Sequence, residues 1–260
     1  ASVTGVQTCA IPKYFLIGGM FVGVGAVWYA AHDLRQKILK VGSELLKAKM
    51  EDLDMKNRSV FIKAKPEKSL TFGEILRYNV QKHLGDPLIG MGYKKAVPEI
   101  EFYPSLSKGT GRFTDAYGLA AATAEVEVDR ETGRVRVLKI CIADDCGYEI
   151  NPASIYGQMV SQAVMGMGDA LLEEVIDEGG RVINPNLVDY EIPRAFDVPE
   201  IVVLNGCDYE PKGPFGGKEA GECARAAVIP AIANAIYDAV GVRVHRVPIT
   251  PEKLLNALKQ

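Results

Sequence analysis

Histidine and cysteine, the residues that most often hold a metal, are scarce in this sequence and poorly spaced for the task. The three histidines stand at 32, 83 and 245 with no H-E-x-x-H or related spacing. This argues against a histidine-rich metal site and leaves only scattered ligands open. The five cysteines, at 9, 141, 146, 207 and 223, are odd in number and include no C-x-x-C pair. They fit neither a disulfide framework nor a zinc or iron–sulfur cage, and a reducing cytoplasm is the simpler setting. An excess of either charge is also missing: 30 Lys and Arg against 33 Asp and Glu leave a net −3, which gives no basic field for holding nucleic acid. Internal repeats and low-complexity tracts are absent. Small molecules and other proteins are the expected partners.

What is present is a chain of 260 residues, 48% hydrophobic and 24% charged, long enough for one large domain or two modest ones. Its long apolar run, YFLIGGMFVGVGAVWYAA at 14–31, is uncharged and follows Lys13. A signal peptide or anchor reads this way, and so does a buried glycine-rich loop and strand. Glycines at 18, 19, 23 and 25 weaken a helical span and favour the second reading. Beyond it, Leu34, Ile38, Val41 and Leu45 recur at helical spacing and predict an amphipathic helix over 30–49. Asn57-Arg58 turns into a short strand over 59–63. Thr71 and Glu74 form a capping box for a helix ending near His83. The pattern then loses its period over 85–118.

Residues 124–128 alternate cleanly, 129–133 turn, and 134–143 alternate before becoming wholly apolar, so a β-hairpin is predicted whose second strand enters the core. Pro152 suits the first turn of a buried helix over 153–174. Glycines 157, 166 and 168 each cost that helix about 1 kcal/mol, which implies that another backbone or a ligand lies against it. A turn at 177–180, a proline-punctuated crossing over 185–199 and a strand over 199–204 follow. The chain closes with an alanine-rich helix over 223–240 stopped by Gly241 and reset by Pro230, a strand near 242–247 and a terminal helix from 251.

Chemistry concentrates in GPFGGKEAGE at 213–222. A phosphate loop needs G-x-x-x-x-G-K-[ST], but Gly213 lies one residue too close to Gly217, and Glu219 follows Lys218 where a hydroxyl is required. The dinucleotide pattern G-x-G-x-x-G fails as well. What survives is a strand, a flexible loop and a helix beginning at Glu222. The helix N-terminus favours an anionic Glu222 and burial opposes it, a balance suited to a general base. A solvated loop carboxylate is the plainer alternative.

Six blocks in order carry a resemblance: AEVEVDRETGRVRV, DDCGYEINP, YGQMVSQAVMGMGDALLEE, GRVINPNLVDYEIPRAFDVPEI, GPFGGKEAGE and AIANAIYDAVGVRVHRVPITPEKLL. From residue 117 onward the chain resembles the C-terminal part of the molybdopterin-binding large subunit of the xanthine dehydrogenase and aldehyde oxidase family. Residues 30–116 resemble it more loosely, through the helix and GMGY at 90–93. The resemblance implies an α+β fold of mixed sheets and packed helices. Residues 13–116 would end a first molybdopterin-binding subdomain and 117–260 would form a second one carrying the catalytic glutamate. ASVTGVQTCAIP at 1–12 does not resemble the family and is expected to be a non-native leader on a piece of a longer subunit. On that reading 14–31 is a cofactor-side loop and helix start.

The glutamate that closes the family's K-x-x-G-E block is the base that deprotonates a molybdenum-bound hydroxyl or water, and it falls on Glu222. The glutamine of the family's G-Q block, which lies beside the pterin, falls on Gln158. Gly217, Lys218 and Gly221 take a supporting role in shaping the loop around the cofactor, and no metal ligand is assigned in this chain. The implied cofactor is molybdenum–molybdopterin in its cytosine dinucleotide form. Electrons would pass to 2Fe-2S clusters and FAD on partner subunits, in a cytoplasmic dimer of heterotrimers without membrane attachment. The implied activity is oxidation at an electron-poor carbon of an aromatic, heterocyclic or aldehyde substrate, the isolated chain being inactive. Lys218-Glu219-Ala220 resembles the 4-hydroxybenzoyl-CoA reductases, which remove a phenolic hydroxyl reductively. A non-catalytic binding or assembly module of the same fold is the alternative.

Overall fold

The structure, a computed structural model, describes residues 7–12, 18–82, 87–94, 116–206 and 208–259. Residues 1–6, His83, Cys207, the start of the apolar run at 14–17 and most of the aperiodic stretch, 95–115, lie outside the described residues. The fold is α+β and divides into two compact units, Gly19–Lys95 and the chain flanking it on both sides.

In the first unit a π-helical turn at Gly18–Val24 leads straight into α1 (Gly25–Leu46). The described part of the apolar run is therefore helical rather than loop and strand, and α1 starts and ends earlier than the 30–49 expected. Packing overrides glycine's low propensity here: a Cβ on buried Gly25 would sit 2.6 Å from the stem of Lys94. The helix stops at Lys47, whose left-handed φ of 50° lets its N–H reach Ser43; no glycine announced this stop. The predicted face is the one that packs. Ile38 and Val41 are buried with Leu53, Val60 and Ile75, and Leu34 and Leu45 lie against that cluster.

The partner surface is an antiparallel sheet of β2 (Leu53–Lys56), β3 (Ser59–Ile62) and β4 (Lys65–Thr71). Asn57 and Arg58, both with positive φ, make the tight turn between β2 and β3, and of these two asparagine is the residue suited to such a turn. At the start of α2 (Phe72–Lys82) the capping box closes. Glu74 N–H donates to the Thr71 hydroxyl at 3.3 Å, and Thr71 N–H donates to the Glu74 carboxylate at 2.8 Å.

The second unit is built on a four-stranded sheet in the order β1-β5-β6-β9. β5 (Tyr117–Val128) and β6 (Val135–Asp144) form the predicted hairpin, with Val128 opposite Val135. β9 (Glu200–Asn205) runs parallel to β6. β1 (Gln7–Pro12), from the segment expected to be a foreign leader, pairs antiparallel with β5. Between β6 and β9 lie α3 (Pro152–Leu171) and a small hairpin of β7 (Asp177–Glu178) and β8 (Arg181–Val182).

The core forms where α4 (Cys223–Val240) lies against β5 and α3. Along β5 every second residue from Ala120 to Val126 is buried, and along α4 Ala224, Ala227, Val228, Ala231 and Ile232 are fully so. These small side chains bring helix and sheet close together. Gly166 does the same between α3 and α4, since a Cβ there would meet Val228 at 2.8 Å. Gly157 departs from expectation: no described atom lies within 4 Å of where its Cβ would be, so no close approach by the described residues requires it.

α4 is the one helix among the described residues long and apolar enough to cross a membrane, but its apolar face is spent on this core. It stops at Gly241, φ 77°, as expected. The strand expected near 242–247 does not form. That segment has no ladder partner among the described residues. Arg243 reaches back to Asn234 at 2.7 Å, and Ile249 N–H bonds the Ala170 carbonyl at 2.7 Å, before α5 (Pro251–Leu258).

Candidate active site

Because β6 and β9 are parallel, with Asp144 beside Asn205, the loops that leave them emerge at the same sheet edge. That carboxyl edge is where α/β sheets present ligand sites. Asn151 caps the first turn of α3, its side-chain oxygen accepting the Ser154 N–H at 3.2 Å, with Pro152 at the first helical position. The loop after β9 returns into the N-terminus of α4.

Backbone pairing joins the two loops. Lys218 N–H donates to the Cys146 carbonyl at 2.7 Å, Tyr148 N–H to Gly216 at 2.7 Å, and Gly147 and Gly217 face one another as an isolated bridge. Inside this joint Phe215 holds a left-handed φ of 55° while 58% exposed, an uncommon state costing about 1–3 kcal/mol that its surroundings must enforce. Gly216, φ 81°, lies so close to the Tyr209 ring that a Cβ would be 2.2 Å from it. The lysine is fixed by charge as well: the Lys218 ammonium pairs with the Asp145 carboxylate, both largely buried. Asp145 also accepts the Gly147 N–H at 3.1 Å.

The expected residues then fall as follows. Gly217 and Lys218 shape the loop by these contacts. Gly221 donates its N–H to the Glu219 carboxylate, and a Cβ on it would be 3.7 Å from the Gln158 side-chain oxygen. Gln158, in the first turns of α3, and Glu222, the residue preceding α4, are thereby brought to one corner. Both are exposed. Glu222 makes no side-chain capping bond, and neither side chain has a hydrogen bond or ion pair among the described residues. Glu222 therefore lies on the surface, as a solvated loop carboxylate does, and not in a buried pocket.

Three participants escaped the sequence. Asp145 and Phe215 are two; the third is Gln162, fully buried one helical turn beyond Gln158, which bonds the loop and the start of α4. A glutamine on the core face of a glycine-bearing helix was the available signal. Arg225 ties the same helix end to α3 through two bonds to Asp169, at 2.6 and 2.8 Å, and that carboxylate holds the guanidinium pKa above its ordinary value.

A groove of about 840 Å³ opens elsewhere, lined by 134–138 at the start of β6, by 171–172 at the end of α3 and by 249–252. It lies at the opposite end of β6 from the Glu222 corner and contains none of the expected site residues. Among the described residues no group of three or more His, Cys, Asp or Glu is placed to hold a metal. The groups at the edge are an exposed amide, which donates and accepts, and an exposed carboxylate, which accepts, a pair that fits a polar, hydrogen-bonding cofactor bringing its own metal.

Residues 18–199 match the family described as molybdopterin cofactor-binding domain, and the chain belongs to it. It is 33% identical over 95% of its length to probable hypoxanthine oxidase XdhD of Escherichia coli. It is 31% identical over 89% to the gamma subunit of the 6-hydroxypseudooxynicotine dehydrogenase complex of Paenarthrobacter nicotinovorans. Among solved structures, quinoline 2-oxidoreductase from Pseudomonas putida superposes with a TM-score of 0.73 over 94% of the chain at 28% identity. The chain spans 24%, 28% and 30% of these three proteins respectively.

Proposed function

We propose that this chain supplies the general base and one edge of the pterin site of a molybdenum-dependent oxidoreductase acting on an electron-poor carbon of an aromatic, heterocyclic or aldehyde substrate. The observation that carries the proposal is the meeting of Gln158 and Glu222, two exposed polar side chains with no described partner, at the N-terminal ends of α3 and α4. The molybdenum–pterin group, when bound, supplies the two-electron redox centre. Gln158 donates and accepts hydrogen bonds at the edge of the pterin. Glu222 takes up a proton on a carboxylate oxygen as the oxygen nucleophile attacks. Gly217, Lys218 and Gly221 hold the loop that aims it.

The names of the relatives support heterocyclic substrates, since they include a hypoxanthine oxidase and a quinoline oxidoreductase. The subunit designation of the dehydrogenase-complex relative supports a multi-subunit enzyme. We place 2Fe-2S and FAD groups on such partners and take the cytosine dinucleotide form for the pterin. The reductive dehydroxylation direction rests on Lys218-Glu219-Ala220 alone. Glu222→Gln in the metal-loaded enzyme is expected to keep its molybdenum and lose about 10²-fold or more of its rate, the scale of a general base. Unchanged turnover would favour a binding or assembly module of the same fold.

A further inference from the structure

We propose that Gln162 is a positioning residue that fixes where Glu222 stands relative to Gln158. It is fully buried, and every polar atom of its amide is used. The side-chain nitrogen donates to the Ala220 carbonyl at 2.6 Å and, more weakly, to the Gln158 carbonyl at 3.3 Å. The side-chain oxygen accepts the N–H groups of Ala224 at 2.8 Å and Arg225 at 3.2 Å. With carbonyls on one side and N–H groups on the other, only one orientation of the amide satisfies all four.

Glu222 lies midway between two backbone positions so held, Ala220 in the loop and Ala224 in α4. Its second neighbour on each side, Ala220 and Ala224, is bonded to the same glutamine, so the backbone cannot rotate at Glu222 without breaking one of these bonds. Glu222 itself makes no side-chain cap of α4. Gln162 takes over that duty from another helix by satisfying two of the N–H groups that a helix start leaves unpaired. The carboxylate is thereby left unengaged, which a general base requires and a capping glutamate would not allow. The third link, to the Gln158 carbonyl, ties the same amide to the α3 turn carrying the proposed pterin contact. One buried side chain therefore sets base and cofactor edge in a common frame.

This rests on the reading of Glu222 as base, and the test separates the two. Gln162→Met keeps the volume and removes the amide. In the native enzyme carrying this chain, amide exchange at Ala224 and Arg225 is expected to quicken roughly tenfold, the scale of one lost cap, with the middle of α4 unchanged. The kcat is expected to fall about 10²-fold, as for an angstrom-scale misplacement, with KM within about twofold. Wild-type exchange at both amides, or wild-type kcat, overturns the proposal. Should Met loosen all of α4, Gln162→Glu decides, because its carboxylate still accepts from both amides. Restored protection at 224 and 225 supports the clamp, and none overturns it. Normal turnover by Glu222→Gln would remove the base reading while leaving the exchange result to judge Gln162 by itself.

Discussion

Lys218 and Asp145, 73 residues apart in sequence, form an ion pair whose side chains are only 10% and 14% exposed. It joins the loop after β9 to the loop after β6, alongside the Lys218 N–H bond to Cys146. A pair this dry is destabilising to split, because the surviving charge loses its partner without regaining water. Removing one member is expected to cost about 3–5 kcal/mol. Lys218→Met should lower the denaturation midpoint accordingly, and adding Asp145→Asn, which removes the stranded charge, should recover part of the loss. A cost below about 1 kcal/mol for Lys218→Met, the value of a surface pair, would mean that backbone bonding alone holds the loop.

Gly166 marks the closest approach of α3 and α4, since a Cβ there would lie 2.8 Å from the Cβ of Val228 and 3.1 Å from the Arg225 carbonyl. Gly166→Ala should therefore destabilise the second unit by about 1–3 kcal/mol despite alanine's better helix propensity. Shortening the opposing residue with Val228→Ala relieves only the side-chain clash, so the double variant should recover part of the midpoint shift. Gly157→Ala, with nothing within 4 Å, should raise stability by up to about 1 kcal/mol by propensity alone. Thermal melts of the three variants check the contrast between two glycines on one helix.

Legibility of the fold followed locality. The β5–β6 hairpin, the Thr71–Glu74 box, the Ile38 and Val41 face and the Gly241 stop are written in neighbouring residues and were readable from period and turn chemistry. The early start of α1 was not, because Gly25 is accommodated by Lys94, far along the chain. The absent strand at 242–247 has the right residue types but no partner strand beside it. At the site, the resemblance picked out Glu222 and Gln158, and their meeting at one corner is a product of parallel β6 and β9. Gln162, Asp145 and the strained Phe215 act through contacts over 50 residues or more or through backbone angles, which no short window of sequence contains.

Glu74 gives the first unit a pH-dependent term. Hydrogen bonds from the Thr71 N–H and hydroxyl hold its carboxyl below a glutamate's ordinary 4.5. A carboxyl lowered in the folded state contributes stability above its unfolded value, and that contribution disappears as pH falls through the folded value. Between neutral pH and about pH 5 Glu74→Gln should be less stable than the parent by a constant amount, and the gap should narrow on further acidification. Parallel denaturation series of parent and variant check this, and a gap that widens below pH 4.5 would contradict the direction.

The two residues at the corner should fail in different ways when changed. Gln158 is assigned to hold the pterin, so Gln158→Ala should reduce molybdenum content or speed its loss on dialysis, and the fraction still loaded should turn over at a rate closer to the parent. Glu222 is assigned to move a proton, so Glu222→Gln should stay loaded and turn over slowly. Its neutral amide also keeps nearly the same shape at the start of α4, so its melting temperature should stay within a few degrees of the parent. Metal content measured beside single-turnover rates separates the cases. If both variants lost metal equally, Glu222 would be a binding group, and the base would have to be sought among the residues outside those described.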